Sequence, residues 1–125
     1  MNLIAVFIGG GLGSLCRYGI GKWSAHFFTS TFAYATLMSN IASTLILAAF
    51  IYFFQDKFEL SQSLKLFLVT VFCGGFSTFS TFSFETFEML KTGQHFLALI
   101  NVLLSVCCCL FILYALYKVG VANSY

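Results

Sequence analysis

Four apolar runs divided by short polar breaks organise this chain, spanning about Leu3 to Gly21, Phe32 to Phe54, Leu64 to Leu90 and His95 to Val119. A helix crosses the hydrocarbon of a bilayer with about 20 mainly apolar residues, so each run is long enough to span. The breaks differ in character. Lys22 to Ser30 carries Trp23, an expected anchor at the membrane interface. Gln55 to Ser63, with Asp56, Lys57 and Glu59, is the most polar stretch and reads as an aqueous loop, while Lys91 to Gln94 turns the chain and Gly120 to Tyr125 forms a tail. Connectors this short predict antiparallel neighbours. Gly74-Gly75 interrupts the middle of the third run, and a glycine pair there predicts a broken helix, tolerated in a membrane only where the freed backbone groups are buried or coordinate something. The expected fold class is all-α integral membrane, with four transmembrane helices and the third broken at Gly74-Gly75.

Composition narrows this to a single membrane domain over residues 1–125. The chain is 60% hydrophobic and 8% charged and has no proline, which leaves no length for a soluble enzyme domain. Met1 to Gly21 lacks the basic region and small-residue cleavage site of a secretory signal, so it is expected as a retained first span. The six basic residues are scattered singly, without the patch that nucleic acid requires. Cys16, Cys73, Cys107, Cys108 and Cys109 lie in apolar surroundings without C-x-x-C spacing. Consecutive helical residues diverge by about 100°, so the last three cannot converge on one metal and read as small packing residues.

Charge placement bears on orientation. With four spans, Arg17, Lys22 and Lys91 fall on one side and Lys57, Lys65 and Lys118 on the other, three against three. The excess of basic residues that normally orients a membrane protein is missing. The balance makes available an antiparallel, dual-topology dimer with its two-fold axis in the membrane plane, unless six charges simply balance by chance.

Polar residues inside the spans mark the candidate chemistry, since each charge there costs about 2.5 to 3.5 kcal/mol by insertion scales. Gly9-Gly10-Gly11-Leu12-Gly13 has no preceding strand and no lysine placed for a phosphate loop; its small-xxx-small spacing suits close helix approach. Arg17, one turn on, either snorkels to headgroups or lends positive potential to an entrance. Thr36, Asn40, Ser43 and Thr44 make one stripe, in which the Asn40 amide serves either as packing glue or as two N–H donors to an anion. In the third run Phe76, Phe79 and Phe82 recur every third residue, and Thr78, Thr81, Glu85 and Glu88 share another face. Phenyl edges are positive and hydroxyls donate, a combination that attracts an anion without the trap a lysine would make; for Phe76 and Phe84 plain packing is the better reading. Asn101, Ser105, Cys108 and Cys109 give the fourth span a polar half, and His95 reads as an interfacial residue.

Three motifs together resemble a known family, the dual-topology fluoride channels called Fluc or CrcB proteins. Gly9-Gly10 to Arg17-Tyr18 looks like the family's G-G-x-x-G-x-x-x-R-[YW] pattern, and Thr36-Leu37 to Asn40 is similar to its G-T-L-x-x-N. Cys73 to Glu85 resembles its highly specific C-G-G-[FL]-[ST]-T-F-S-T-F-S-x-E signature. The resemblance implies a passive fluoride channel in the cell (inner) membrane, not an enzyme. It implies a homodimer with an inverted second copy and two pores, each lined by both subunits. Carried over by position, Phe79 and Phe82 are the pore phenylalanines and Asn40 the pore asparagine. Thr36, Ser80, Thr81 and Ser105 are expected along the fluoride path, with Thr36 and Arg17 toward a vestibule. A structural, untransported Na+ is expected at the dimer centre on the backbone carbonyls of Gly74 and Ser77.

The sequence departs from the family pattern at Ala35, which replaces a glycine, and at Ala42 with Ser43. Cys109 and Leu113 occupy positions where the family's fourth helix supplies Ser/Thr donors, which keeps open a subunit of a heterodimeric channel. A small four-helix multidrug exporter is the competing transport class, and it needs a carboxylate in the first span, where Leu3 to Gly21 has none.

Overall fold

The computed structural model describes residues 2–29, 32–54, 59 and 61–123. Helix α1 (Asn2–Phe27) runs six residues past the expected end of the first span. Nothing in 22–27 breaks a helix, and two i,i+4 pairs support it: Lys22 sits over the Tyr18 ring at 5.6 Å, and the Trp23 and Phe27 rings are 5.0 Å apart. Helix α2 (Tyr34–Ala49) passes into a π-helical turn at Phe50–Phe54. Helix α3 (Gln62–Phe76) starts on Ser61, whose hydroxyl accepts from Leu64 N–H at 3.3 Å, and α4 (Phe79–Lys91) follows it after two residues. Helix α5 (His95–Ala122) continues through the expected tail to Ala122. Residues 55–58 of the expected aqueous loop, Lys57 among them, lie outside the described residues.

Between α4 and α5 the chain turns at Gly93, whose φ of 81° lies in the left-handed region that favours glycine. Gly93 N–H donates to Leu90 O and Gln94 N–H to Met89 O, which satisfies the last carbonyls of α4.

The break in the third run stands at Ser77–Thr78, and this corrects the expected break at Gly74-Gly75. Both glycines are helical, whereas Ser77 (φ −85°, ψ 160°) and Thr78 (φ −152°, ψ 119°) are extended. Side-chain hydroxyls supply the reason. Ser77 Oγ and N–H both donate to Cys73 O, at 2.9 and 2.8 Å, closing α3. Thr78 Oγ1 accepts from Thr81 N–H at 3.2 Å and opens α4 as its N-cap.

The glycines serve packing instead. A Cβ on Gly75 would stand 2.5 Å from Gly10 O, and one on Gly13 would collide with Phe72 O and stand 2.8 Å from Phe76 N. Helices α1 and α3 thus touch backbone to backbone, the use of small residues seen where lipid removes any hydrophobic drive between helices. Helix α2 lies at the centre, packing mainly on α5 and also on α1, α3 and α4.

Burial is inverted relative to a soluble protein. Ser24, Thr36, Ser39, Ser43, Asn101 and Ser105 are buried, while Leu3, Phe7, Phe96 and Phe111 are more than two-thirds exposed. An apolar exterior around a small, polar interior is what a bilayer solvent selects. Helices α1, α2 with its π turn, and α5 are each long and apolar enough to cross a membrane; α3 and α4, at 15 and 13 residues, fall short individually of the roughly 20 required.

Overpacking the α1–α3 contact should be costly. Gly13→Ala is expected to lower stability by about 1–3 kcal/mol, while Gly19→Ala, where an added Cβ meets nothing within 4 Å, leaves it nearly unchanged. Thermal unfolding in detergent checks this; equal midpoints for the two variants would refute the contact.

Candidate functional site

The break brings α2, α4 and α5 together around a cavity of about 370 Å³, lined by Asn40, Ser77, Phe79, Phe82, Ser105 and Cys109 among others. Thr78 N–H, which in a continued helix would bond the Gly74 carbonyl, instead donates to Asn40 Oδ1 at 3.1 Å. That donor fixes which amide atom is the oxygen. The Asn40 Nδ2 keeps two N–H donors with no partner among the described residues. The packing reading of Asn40 is therefore realised through its Oδ1, and its Nδ2 is left with donors to spare.

Across the cavity wall, Ser105 is 93% buried by its 7% exposure, and its Oγ has no hydrogen-bond partner among the described residues. Cys109 follows one turn later on α5 and lines the same cavity, whereas Leu113 does not reach it. The Phe79 and Phe82 rings lie 5.8 Å apart at 42°, with Phe79 80% exposed. Among the described residues the lining has amide and hydroxyl donors, phenyl rings and a thiol, and no Lys or Arg. This set can replace the water of a small anion without holding it as an ion pair.

A second cavity, of about 320 Å³, gathers Arg17, Thr36, Ser39, Thr78, Thr81 and Glu85. Thr36 Oγ1 donates to Glu85 Oε1 at 2.9 Å, leaving Glu85 Oε2 and Ser39 Oγ buried without partners among the described residues. Arg17 makes no ion pair among those residues although Glu85 lines the same space. Thr78 lines both cavities.

The expected residues thus divide. Asn40, Phe79, Phe82 and Ser105 meet in the first cavity, and Thr36, Thr81 and Arg17 in the second. Ser80 lines neither; it is exposed, its hydroxyl 3.2 Å from that of Thr78. Gly74 is exposed, with nothing within 4 Å of where a Cβ would lie. Glu88, placed on the threonine face by spacing, pairs with Lys91 at 3.0 Å away from both cavities. Sequence reasoning missed Ser39, although its i+3 spacing from Thr36 and i−4 spacing from Ser43 put it on the recognised stripe.

A family model described as CrcB-like protein, Camphor Resistance (CrcB), matches residues 4–117. The chain belongs to the CrcB family. Among its relatives, a protein of Clostridium perfringens (strain 13 / Type A) named fluoride-specific ion channel FluC is 40% identical over 107 residues, covering 86% of this chain and 84% of the relative. A protein of the same name from Pyrococcus abyssi (strain GE5 / Orsay) is 42% identical over 109 residues, covering 85% and 87%. Another, from Coxiella burnetii (strain CbuK_Q154), is 36% identical over 113 residues, covering 88% and 90%. Membership in the CrcB family and three helices fit to span make this a multi-pass membrane protein and not an enzyme.

The Asn40–Thr78 bond should be visible in stability. Asn40→Ala strands the Thr78 amide and is expected to cost about 1–3 kcal/mol. Thr44→Ala, at a residue that lines the same cavity without a side-chain hydrogen bond, should cost clearly less. Thermal midpoints in detergent compare them, and indistinguishable losses would remove the bond's special role.

Proposed function

We propose that the protein is a fluoride-selective passive channel that lowers cytoplasmic fluoride, working in the cell (inner) membrane as an antiparallel homodimer with two pores. One observation carries the reading: the first cavity is lined by Asn40, Ser105, Phe79 and Phe82, with no basic side chain among the described residues of its wall. Fluoride is small and strongly hydrated, so donors must replace its water, and an ammonium would bind it too tightly to let it leave. The names of the relatives support the same ion.

In this scheme the second cavity is the vestibule, where the unpaired Arg17 raises local anion concentration. Thr78, common to both cavities, is the step between them. Helices α3 and α4 together make the third of four spans, and the three-against-three basic balance favours insertion of copies both ways. A second, inverted copy has an obvious surface to cover in the exposed Phe79 ring and the open space at Gly74.

The residues at the break fit the expected sodium. Extended backbone at Ser77 and Thr78 takes the Gly74 carbonyl off the helical ladder, and carbonyl oxygens are the ligands a hard cation prefers. Gly74 and Ser77 of two inverted copies would hold the ion through those carbonyls, and its charge would offset the carbonyl dipoles brought together at the dimer centre.

Flux from liposomes read with a fluoride electrode tests the channel. The purified single chain should pass fluoride far faster than chloride, and Phe82→Ile should lower fluoride flux by about tenfold or more. Chloride leaking as readily as fluoride, or a Phe82→Ile form that conducts unchanged, would count decisively against the reading, and a single chain that conducts only with an added homologue would favour a heterodimer. Reconstitution without sodium is expected to lower both flux and melting temperature. If neither moves, the sodium assignment is wrong.

A further inference from the structure

Helix α4 carries both phenylalanines of the first cavity, yet its own anchorage is slight. It begins at the break, exposes Phe79, Phe84 and Phe87, and buries Met89 near its far end against Ala98 of α5. Its middle is held to α2 by the Thr36–Glu85 bond and to α5 by a polar relay. Thr86 Oγ1 donates to the Phe82 carbonyl at 2.7 Å, and Asn101 Nδ2 of α5 donates to that same Thr86 oxygen at 2.9 Å. Asn101 is 1% exposed and lies one turn before Ser105.

We infer that Asn101 and Thr86 are positioning residues that set the anion selectivity of the path by tying the backbone of Phe82 to the helix that carries Ser105 and Cys109. The inference rests on the fluoride-channel reading above. Neither Asn101 nor Thr86 lines the first cavity, so neither touches an ion there. What they fix is the relation of its two walls, Phe79 and Phe82 on α4 against Ser105 and Cys109 on α5. Discrimination between a small and a larger halide depends on that gap, because a wall free to slide or roll admits the larger ion.

Asn101 itself argues for positioning over stability. Its Oδ1 is buried without a partner, so the amide brings one bond and one orphaned acceptor. Replacing it with an apolar residue of similar shape removes both together, and Thr86 Oγ1 keeps its bond to the Phe82 carbonyl, so no buried donor is stranded. Asn101→Leu should therefore leave the fold standing while releasing Phe82.

The test is the ratio of fluoride to chloride flux in liposomes, a quantity independent of how much of the reconstituted protein is active. Asn101→Leu and Thr86→Val should each lower the ratio by about tenfold, the scale of one buried hydrogen bond. The double variant should be no worse than either single one, because both remove the same tie. Thr86→Ser, which keeps the hydroxyl, should retain the wild-type ratio, and Asn101→Leu should keep its thermal midpoint. If Asn101→Leu does not fold, Thr86→Val reads the same bond from the other helix. A wild-type preference for fluoride that persists undiminished in Thr86→Val overturns the inference alone, as do additive losses in the double variant. A wild type without that preference overturns the channel reading itself.

Discussion

The hydrogen bond from Thr78 N–H to Asn40 Oδ1 is the constraint on which the rest of the structure depends. A transmembrane helix cannot be interrupted in hydrocarbon unless each freed backbone group finds a partner. Three of the donors here are met within the protein: the Thr78 amide by the Asn40 side chain, the Thr81 amide by Thr78 Oγ1, and the Ser77 amide by the Cys73 backbone carbonyl. With these three donors satisfied, the chain runs extended for two residues, and α4 starts anew with Phe79 and Phe82 on the cavity that α2 and α5 also line. The same bond fixes the orientation of the Asn40 amide on the cavity wall. One contact thus makes the break possible and equips the space it creates.

Close packing elsewhere compensates for that irregularity. Helices α1 and α3 approach through Gly10, Gly13 and Gly75, and α5 seats Gly120 against Tyr52, where a Cβ would stand 3.0 Å from the tyrosine Cβ. These contacts rely on van der Waals fit, because burying apolar surface gains little when the solvent is itself apolar. The closely packed α1–α3 pair then holds Arg17 at the second cavity, which Thr78 of the break also lines, without an ion pair among the described residues to neutralise it.

The fold was legible where it depends on length and period. Apolar runs located α1, α2 and α5 and enclosed α3 and α4, and the family resemblance singled out Asn40, Phe79, Phe82 and Ser105, which line one cavity. Helix ends were misjudged where no breaker marks them, as at 22–27 and at the tail. The break was misplaced by three residues because Gly74-Gly75 is ambiguous: glycine both weakens a helix and lets another approach it, and only the position of α1 decides which use prevails. Thr36 was grouped with Asn40 by periodicity, yet it lines the neighbouring cavity together with Thr81, since a face of a helix can serve two spaces once the facing helix is broken. The bond between Thr86 and Asn101 joins helices across a turn and has no local signature.

Four buried polar atoms without partners remain among the described residues: Ser39 Oγ, Glu85 Oε2, Asn101 Oδ1 and Ser105 Oγ. Each is costly in a membrane interior unless something satisfies it. Ser39, Glu85 and Ser105 belong to cavity walls, so a small side-chain rotation would bring each of these oxygens to water there, and the two hydroxyls to an anion. Asn101 lines neither space. Its orphaned oxygen has no ion to wait for, and the amide is explained only by its other end, which holds Thr86 and, through it, the backbone of Phe82.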